Sequence, residues 1–268
     1  MVGQWIAIFN PSKAFIGVVH LLPLPGSPRW NGSMRDVIDR AEEEAKILEQ
    51  GGVNGIIVEN FGDIPFQTGR LDPETVAGMT VAVERVQRVV KAPLGINMLR
   101  NDALSALGIA TVTGAKFIRV NVHYGVMAAE EGLIEGNAYK TMRHRKNLGS
   151  DVNVLADILV KHAVPLGPVD LGQIAKETAQ RGLADGLIVS GSATGLETDN
   201  RDISVVRQAV PDGLVLVGSG ITEKNIRSVI EHADGAIIGT SLKKEGDINN
   251  KVDPQRVRQM AKIFDSIR

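Results

Sequence analysis

The sequence predicts an α/β protein, a single (β/α)8 barrel of the TIM type over residues 1–268. Three observations carry that expectation. Short β-rich runs alternate with helix-like stretches, and the alternation repeats eight times. Most of the runs are apolar on both faces, the pattern of parallel strands covered by helices. Four of the runs echo one another at alternate positions along the chain. Strand–helix alternation implies a parallel sheet, and eight units favour closure into a barrel. An open doubly wound sheet is the alternative that alternation by itself leaves standing. Barrels of this kind routinely reach this length as one domain, and no linker or low-complexity segment interrupts the chain.

The predicted strands are Phe15–His20, Gly55–Asn60, Leu94–Met98, Phe117–Val122, Val152–Ile158, Gly186–Ser190, Leu214–Val217 and Ala236–Gly239. Amphipathic stretches such as Met34–Gln50 and Thr75–Val90 lie between them, and Asp202–Ala209 is a shorter one. Plausible helix starts are Ser33, Asp72 before Pro73, Thr222, and Asp253 before Pro254. Short oxygen-bearing side chains at these positions accept bonds from the otherwise unpaired first N–H groups of a helix.

The echo is specific in sequence. Val53–Glu59, Ala184–Ser190 and Ala233–Gly239 share one pattern, and Ala115–Asn121 is a looser fourth copy. These are the second, sixth, eighth and fourth strands, and alternate strands of such barrels contribute to common layers. The alignment therefore places Glu59, Asn121, Ser190 and Gly239 at one height near the C-terminal mouth. A blander reading is that any parallel strand ends in residues of this kind.

Active sites of (β/α)8 barrels form at the C-terminal ends of the strands. The polar residues there are His20, Glu59 with Asn60, Asn97, Asn121 with His123, Asp157, Ser190 with Ser192, and Thr240. A carboxylate closing an apolar strand carries a desolvation cost unless it is paired or used. Glu59 and Asp157 are thus the candidate acid and base; each could instead accept hydrogen bonds from loop backbone. His20, Asn60, Asn97, Asn121, His123, Ser190 and Ser192 are candidate substrate ligands. Lys161 joins them, with an imine-forming role open to it if desolvated. A lysine beyond the strand end is ordinarily just solvated. Ser190 lacks the Gly-x-Ser-x-Gly setting of a serine-hydrolase nucleophile. No cofactor is predicted. A divalent metal on His20, Glu59, Asp157 and His162 is conceivable, although their spacing carries no metal signature.

The last two strands end in small residues. Gly218-Ser219-Gly220 and Gly239-Thr240-Ser241 follow short apolar runs. Loops at these places in a (β/α)8 barrel commonly bind phosphate. Glycines let the backbone come close, and its N–H groups stabilise an anion. A phosphate group is expected on these six residues, hence a small phosphorylated molecule as partner.

Three stretches on the same face look like covers: residues 21–32, 61–70 and 123–137, the last running into 139–146. Arg29, Arg70 and Arg143 within them could reach an anion. The basic run Arg143–Lys146 reads as a solvated helix face or a subunit contact. The 30 basic and 31 acidic residues nearly cancel, which gives no support for a nucleic-acid or anionic-membrane surface. No apolar run approaches membrane-spanning length. The chain has no cysteine, which excludes disulfides and thiolate metal sites and fits a reducing compartment. A cytoplasmic homo-oligomer is the expectation.

Several stretches resemble the BtpA/SgcQ family. They are Val19–Pro28, Glu59–Phe66, Ala156–Ala163, Val217–Gly220 and Gly239–Lys243. The likeness runs over essentially the whole chain, and the first two motifs are distinctive. The resemblance implies a TIM barrel of the phosphate-binding type, and no particular reaction. Some members are associated with photosystem I biogenesis at thylakoid membranes, others with sugar-uptake operons. Two expectations follow. The first is an enzyme acting on a small phosphorylated metabolite, a sugar phosphate or nucleotide-derived pentose phosphate, by isomerase, lyase or glycosidic-bond chemistry. The second is a non-catalytic assembly or regulatory factor that has kept the barrel.

Overall fold

A computed structural model describes Phe9 and residues 13–191 and 198–268. In chain order the strands are β1 (Ala14–His20), β2 (Gly55–Glu59), β3 (Leu94–Asn97), β4 (Phe117–Val120), β5 (Val126–Ala129), β6 (Gly132–Glu135), β7 (Asn153–Asp157), β8 (Ala163–Pro165), β9 (Gly186–Val189), β10 (Val215–Val217) and β11 (Gly235–Ile238). Eight of them close into a parallel barrel in the order β1-β11-β10-β9-β7-β4-β3-β2. The helices α1 (Met34–Gln50), α2 (Pro73–Val89), α3 (Ala103–Thr113), α4 (Ala138–Asn147), α5 (Leu171–Gln180), α6 (Asn200–Ala209), α7 (Ile226–Val229) and α8 (Pro254–Ile267) alternate with the strands. The fold is the (β/α)8 barrel that the strand spacing predicts.

The strands are short and buried on both sides, as a helix-covered parallel sheet requires. Outward residues such as Val19, Ile56, Val58 and Ile96 pack under the helices. Inward residues form a second core, with Phe9, Phe117, Leu155, Ile188, Leu214 and Ile237 filling the barrel interior. A β-carbon on Gly95 would lie 2.1 Å from the Phe117 ring, so glycine at that site is what lets the ring cross the barrel.

Helix starts follow the predicted chemistry in part. Ser33 accepts from the Asp36 N–H, and Asp253 from the Gln255 and Arg256 N–H groups. Asp72 flanks α2 without a capping bond, where Pro73 already supplies the helical φ. Thr222 does not start a helix: α7 begins only after Asn225 and is four residues long. So short a helix offers no N-terminal anion site, and an anion at this place would meet loop backbone.

Two features were not predicted. The region 123–137 is not an open lid. It is the β5–β6 hairpin, and β8 pairs with it to make a three-stranded antiparallel sheet beside the mouth. Arg100 pins this sheet down, reaching Glu131 at 3.4 Å and donating to the Lys161 carbonyl at 2.8 Å. The second feature is a buried ion pair outside the barrel. Lys243 donates to Glu44 at 2.7 Å with both side chains sealed from solvent. Arg40 and the Val252 N–H also reach Glu44, so the chain after β11 is held against α1.

Candidate functional site

Strand registry brings the predicted carboxylates into the barrel interior. Glu59 lies beside His20 on one side and Asn97 on the other. Asn97 donates to its Oε2 at 2.5 Å, and the His20 Nε2 stands 3.9 Å from its Oε1. Burial holds the His20 imidazole well below its usual pKa, and the positive charges of Lys243, Lys161, Arg40 and Arg119 act in the same direction. At neutral pH the ring is therefore uncharged. Its edge packs on Phe61, with centroids 5.0 Å apart. A β-carbon on Gly239 would come within 2.7 Å of the ring, so glycine there gives His20 its place.

Asp157 has a different setting. Arg119 grips it with two bonds, from Nε at 3.0 Å and Nη2 at 2.9 Å, and Asn121 donates to it at 2.9 Å. Both groups of the ion pair are buried. Such a fork-to-fork pair fixes geometry as well as charge. Arg119 was not among the predicted site residues. The signal was present: it sits two positions before Asn121 in a predicted strand, hence on the same inward face. Gly218 makes room across the barrel, since a β-carbon there would lie 2.5 Å from Ile188 Cγ2 and 3.4 Å from Arg119 Nη2.

One cavity of about 810 Å³ opens at the mouth. It is lined by His20, Glu59, Arg119 and Lys161 on one side. Gly218, Ser219, Gly220, Gly239, Thr240 and Ser241 line the other. All six predicted phosphate residues thus face the same space as Glu59. They are not equivalent. The Gly218 N–H is already donated to the Val189 carbonyl at 2.8 Å. Gly220 adopts a left-handed φ of 66°, and its carbonyl is held by Asn225. Among the described residues the Ser241 hydroxyl oxygen is buried with no partner, as are Asn97 Oδ1, Asn121 Oδ1 and His20 Nδ1. Buried polar atoms without partners are uncommon, and these four lie toward the mouth. Arg256 donates to the Ser241 carbonyl at 3.1 Å and also lines the cavity.

The remaining predicted ligands fall elsewhere. Asn60 points away from the barrel axis. It holds the Leu99 backbone through both its amide atoms and donates to Asp63 at 2.9 Å. Asp63 in turn accepts from the Leu24 N–H at 2.7 Å. Burial raises the Asp63 pKa against those two bonds. A β-carbon on Gly62 would strike the backbone of residues 21–23. The two distinctive motifs, residues 19–28 and 59–66, are thus one clamp between neighbouring loops. His123 bonds the Gly182 carbonyl at 2.8 Å and lines a separate surface cavity of about 660 Å³. Ser190 donates to the Leu159 carbonyl at 3.3 Å. Ser192 lies outside the described residues. Arg29 and Arg70 are exposed and Arg143 stacks on Tyr139, so none of the three lines the main cavity.

His20 and Glu59 adjoin, but Asp157 is turned to Arg119. Among the described residues no group of three or more His, Asp or Glu side chains is placed to share a metal ion. Lys161, by contrast, does face the cavity. Burial lowers its pKa, and Arg119 adds to the effect, while Glu59 and Asp157 oppose it. No helix among the described residues is long and apolar enough to cross a membrane.

The chain is 15% identical, with a TM-score of 0.57, to the structure of N-(5'-phosphoribosyl)anthranilate isomerase from Pyrococcus furiosus, covering 95% of this chain and all of that one. That likeness concerns the fold. In sequence the chain is 34% identical to the putative sgc region protein SgcQ of Escherichia coli, over 99% of each chain. It is 54% identical to the photosystem I biogenesis protein BtpA of Synechocystis sp., over 93% of this chain and 87% of that one. The family model described as the BtpA family matches residues 11–266, and the chain belongs to that family.

Proposed function

We propose that this protein is an enzyme that acts on a small phosphorylated metabolite by acid–base chemistry at the barrel mouth. One observation carries the reading. The small-residue turns after β10 and β11 open into the same cavity as a buried carboxylate, a neutral imidazole and a partly buried lysine. Phosphate against the N–H groups of Gly220, Thr240 and Ser241 would leave the rest of the substrate facing Glu59. Glu59 then carries the proton transfer, with its carboxylate oriented by Asn97 and unneutralised by the uncharged His20. Asp157 acts through Arg119, which it holds in the cavity wall. Asn97 orients Glu59, and Asn121 steadies Asp157 alongside Arg119. The substrate class is a sugar phosphate or a nucleotide-derived pentose phosphate.

The test is a thermal-shift screen of phosphorylated metabolites and inorganic phosphate. A ligand present at about a hundred times its dissociation constant stabilises the native state by about 2.7 kcal/mol. For a chain of this size each kcal/mol moves Tm by roughly 2–4 °C. The shift should disappear in Gly220→Val, where the new side chain blocks the approach and strains the left-handed backbone. No shift with any phosphorylated compound would remove the reading. A second reading, a non-catalytic assembly factor, is favoured by the 54% identity to a protein named for photosystem I biogenesis. It predicts that Glu59→Gln leaves the protein's biological role intact.

A further inference from the structure

The inference rests on the phosphate-site reading and specifies the chemistry of the same cavity. Each of the fully buried cations Arg100, Arg119 and Lys243 has a carboxylate partner, respectively Glu131, Asp157 and Glu44. Lys161 has none: its amine makes no hydrogen bond or ion pair among the described residues, although it lines the cavity beside Glu59 and Arg119. The two nearby carboxylates are otherwise engaged. Asp157 is spent on Arg119 and Asn121, and Glu59 faces Asn97 and His20. The segment that carries Lys161 is nonetheless fixed, because Arg100 donates to its carbonyl. Lys161 is only half-buried, so its charge is met by the cavity rather than by a carboxylate. The residue is held on an anchored turn and aimed at the space where substrate would sit.

We propose that Lys161 is the nucleophile of this site, forming a protonated imine with the carbonyl group of a phosphorylated aldehyde or ketone. The step balances within the cavity. The ammonium gives one proton to the Glu59 carboxylate, and the freed lone pair attacks the carbonyl carbon. The carbonyl π pair moves to oxygen, which takes the second nitrogen proton and becomes the hydroxyl of a carbinolamine. Glu59, now a carboxylic acid, returns its proton to that hydroxyl. The C–O bond breaks, water leaves, and the nitrogen lone pair closes the C=N bond. The sum is an ammonium plus a carbonyl giving an iminium plus water. Glu59, again a carboxylate, can then take a proton from the neighbouring carbon. The C–H pair becomes a C=C bond, and the iminium π pair settles on nitrogen. Burial and the Arg119 charge make the neutral amine more accessible at neutral pH than for an exposed lysine. This chemistry suits isomerisation or carbon–carbon cleavage and does not serve glycosidic-bond hydrolysis.

Borohydride trapping tests it on the full-length chain. The probes are dihydroxyacetone phosphate and D-ribose 5-phosphate, with unphosphorylated dihydroxyacetone and D-ribose beside them. Intact mass and peptide mapping read the adduct. The expected result is a single reduced adduct per chain, mapped to Lys161, formed with a phosphorylated probe and suppressed by inorganic phosphate. It should be lost in both Lys161→Met and Lys161→Arg. Circular dichroism should stay as in the unmodified protein. Labelling scattered over surface lysines, or undiminished in Lys161→Met, overturns the proposal. So does the absence of any adduct from a protein that still binds inorganic phosphate, and that result leaves the phosphate site standing. If the unmodified protein does not bind inorganic phosphate at all, the phosphate-site reading falls, and the imine proposal falls with it.

Discussion

The two halves of the barrel mouth are built from different materials. On the β2–β3–β4–β7 side the site is made of side chains: Glu59 with Asn97, and Arg119 with Asp157 and Asn121. On the β10–β11 side it is made of backbone, with glycines where side chains would intrude. The first half places charge where a reacting atom needs it, and its geometry depends on hydrogen bonds between buried groups. The second half keeps a concave surface open, and its geometry depends on the absence of β-carbons. Substitution should therefore harm the two halves in opposite ways, by removing atoms from one and by adding atoms to the other.

The largest expected effect is on the side-chain half. Asp157→Ala leaves Arg119 buried without its partner, and breaking a buried pair costs about 3–5 kcal/mol. Urea unfolding should show a loss in that range. A loss under about 1 kcal/mol, the scale of an exposed pair, would mean that the pair is not what holds this half together. Glu59→Gln keeps the volume and a hydrogen bond to Asn97, so folding should survive. Its effect should fall on chemistry, lowering turnover by at least about a hundredfold once a substrate is in hand. Near-normal turnover in that variant would remove the acid–base role.

The glycine half should respond next. Gly218→Ala and Gly239→Ala place a β-carbon 2.5 Å from Ile188 and 2.7 Å from His20 respectively. Overpacking of this kind typically costs about 1–3 kcal/mol. Gly239→Ala should also displace the His20 ring and weaken phosphate binding, whereas Gly218→Ala should disturb Arg119. If both variants bind phosphate as before, the concave half is not the anion site.

The smallest effect sharpens the contrast through pH. The His20 pKa is lowered on folding, chiefly by burial. The unfolded chain therefore binds more protons at that residue below about pH 6.5, its ordinary value. Stability should be unaffected by His20 above that pH and should decline as the pH falls from there toward the lowered folded value. His20→Gln removes this contribution, so its urea midpoint should fall less steeply between pH 7 and pH 5. An unchanged slope would show that His20 is not the group responsible.

Much of this was legible in the chain. Short strands apolar on both faces, separated by amphipathic stretches, dictate a covered parallel sheet, and the echo among four strands points to closure. The small residues at 218–220 and 239–241 announce a close backbone approach wherever they fall. Glu59 and His20 are visible because a polar residue closing an apolar run is costly unless used. Other positions depend on which way a side chain turns. Asn60 follows Glu59 directly, so the pleat sends it to the opposite face, where it clamps a loop. His123 has left the strand altogether and bonds Gly182, a residue far along the chain. Arg119 is legible as an inward residue two positions before Asn121, but its partner is not until the closed barrel brings it to Asp157. Its pairing with Asp157 spans 38 positions and that of Lys243 with Glu44 spans 199, and no local pattern encodes either. Local sequence determines what a segment is, because propensity and periodicity act over a few residues. Tertiary structure alone decides which charges are neutralised and which, like Lys161, are left facing the cavity, because desolvation and pairing depend on neighbours that only the closed barrel supplies.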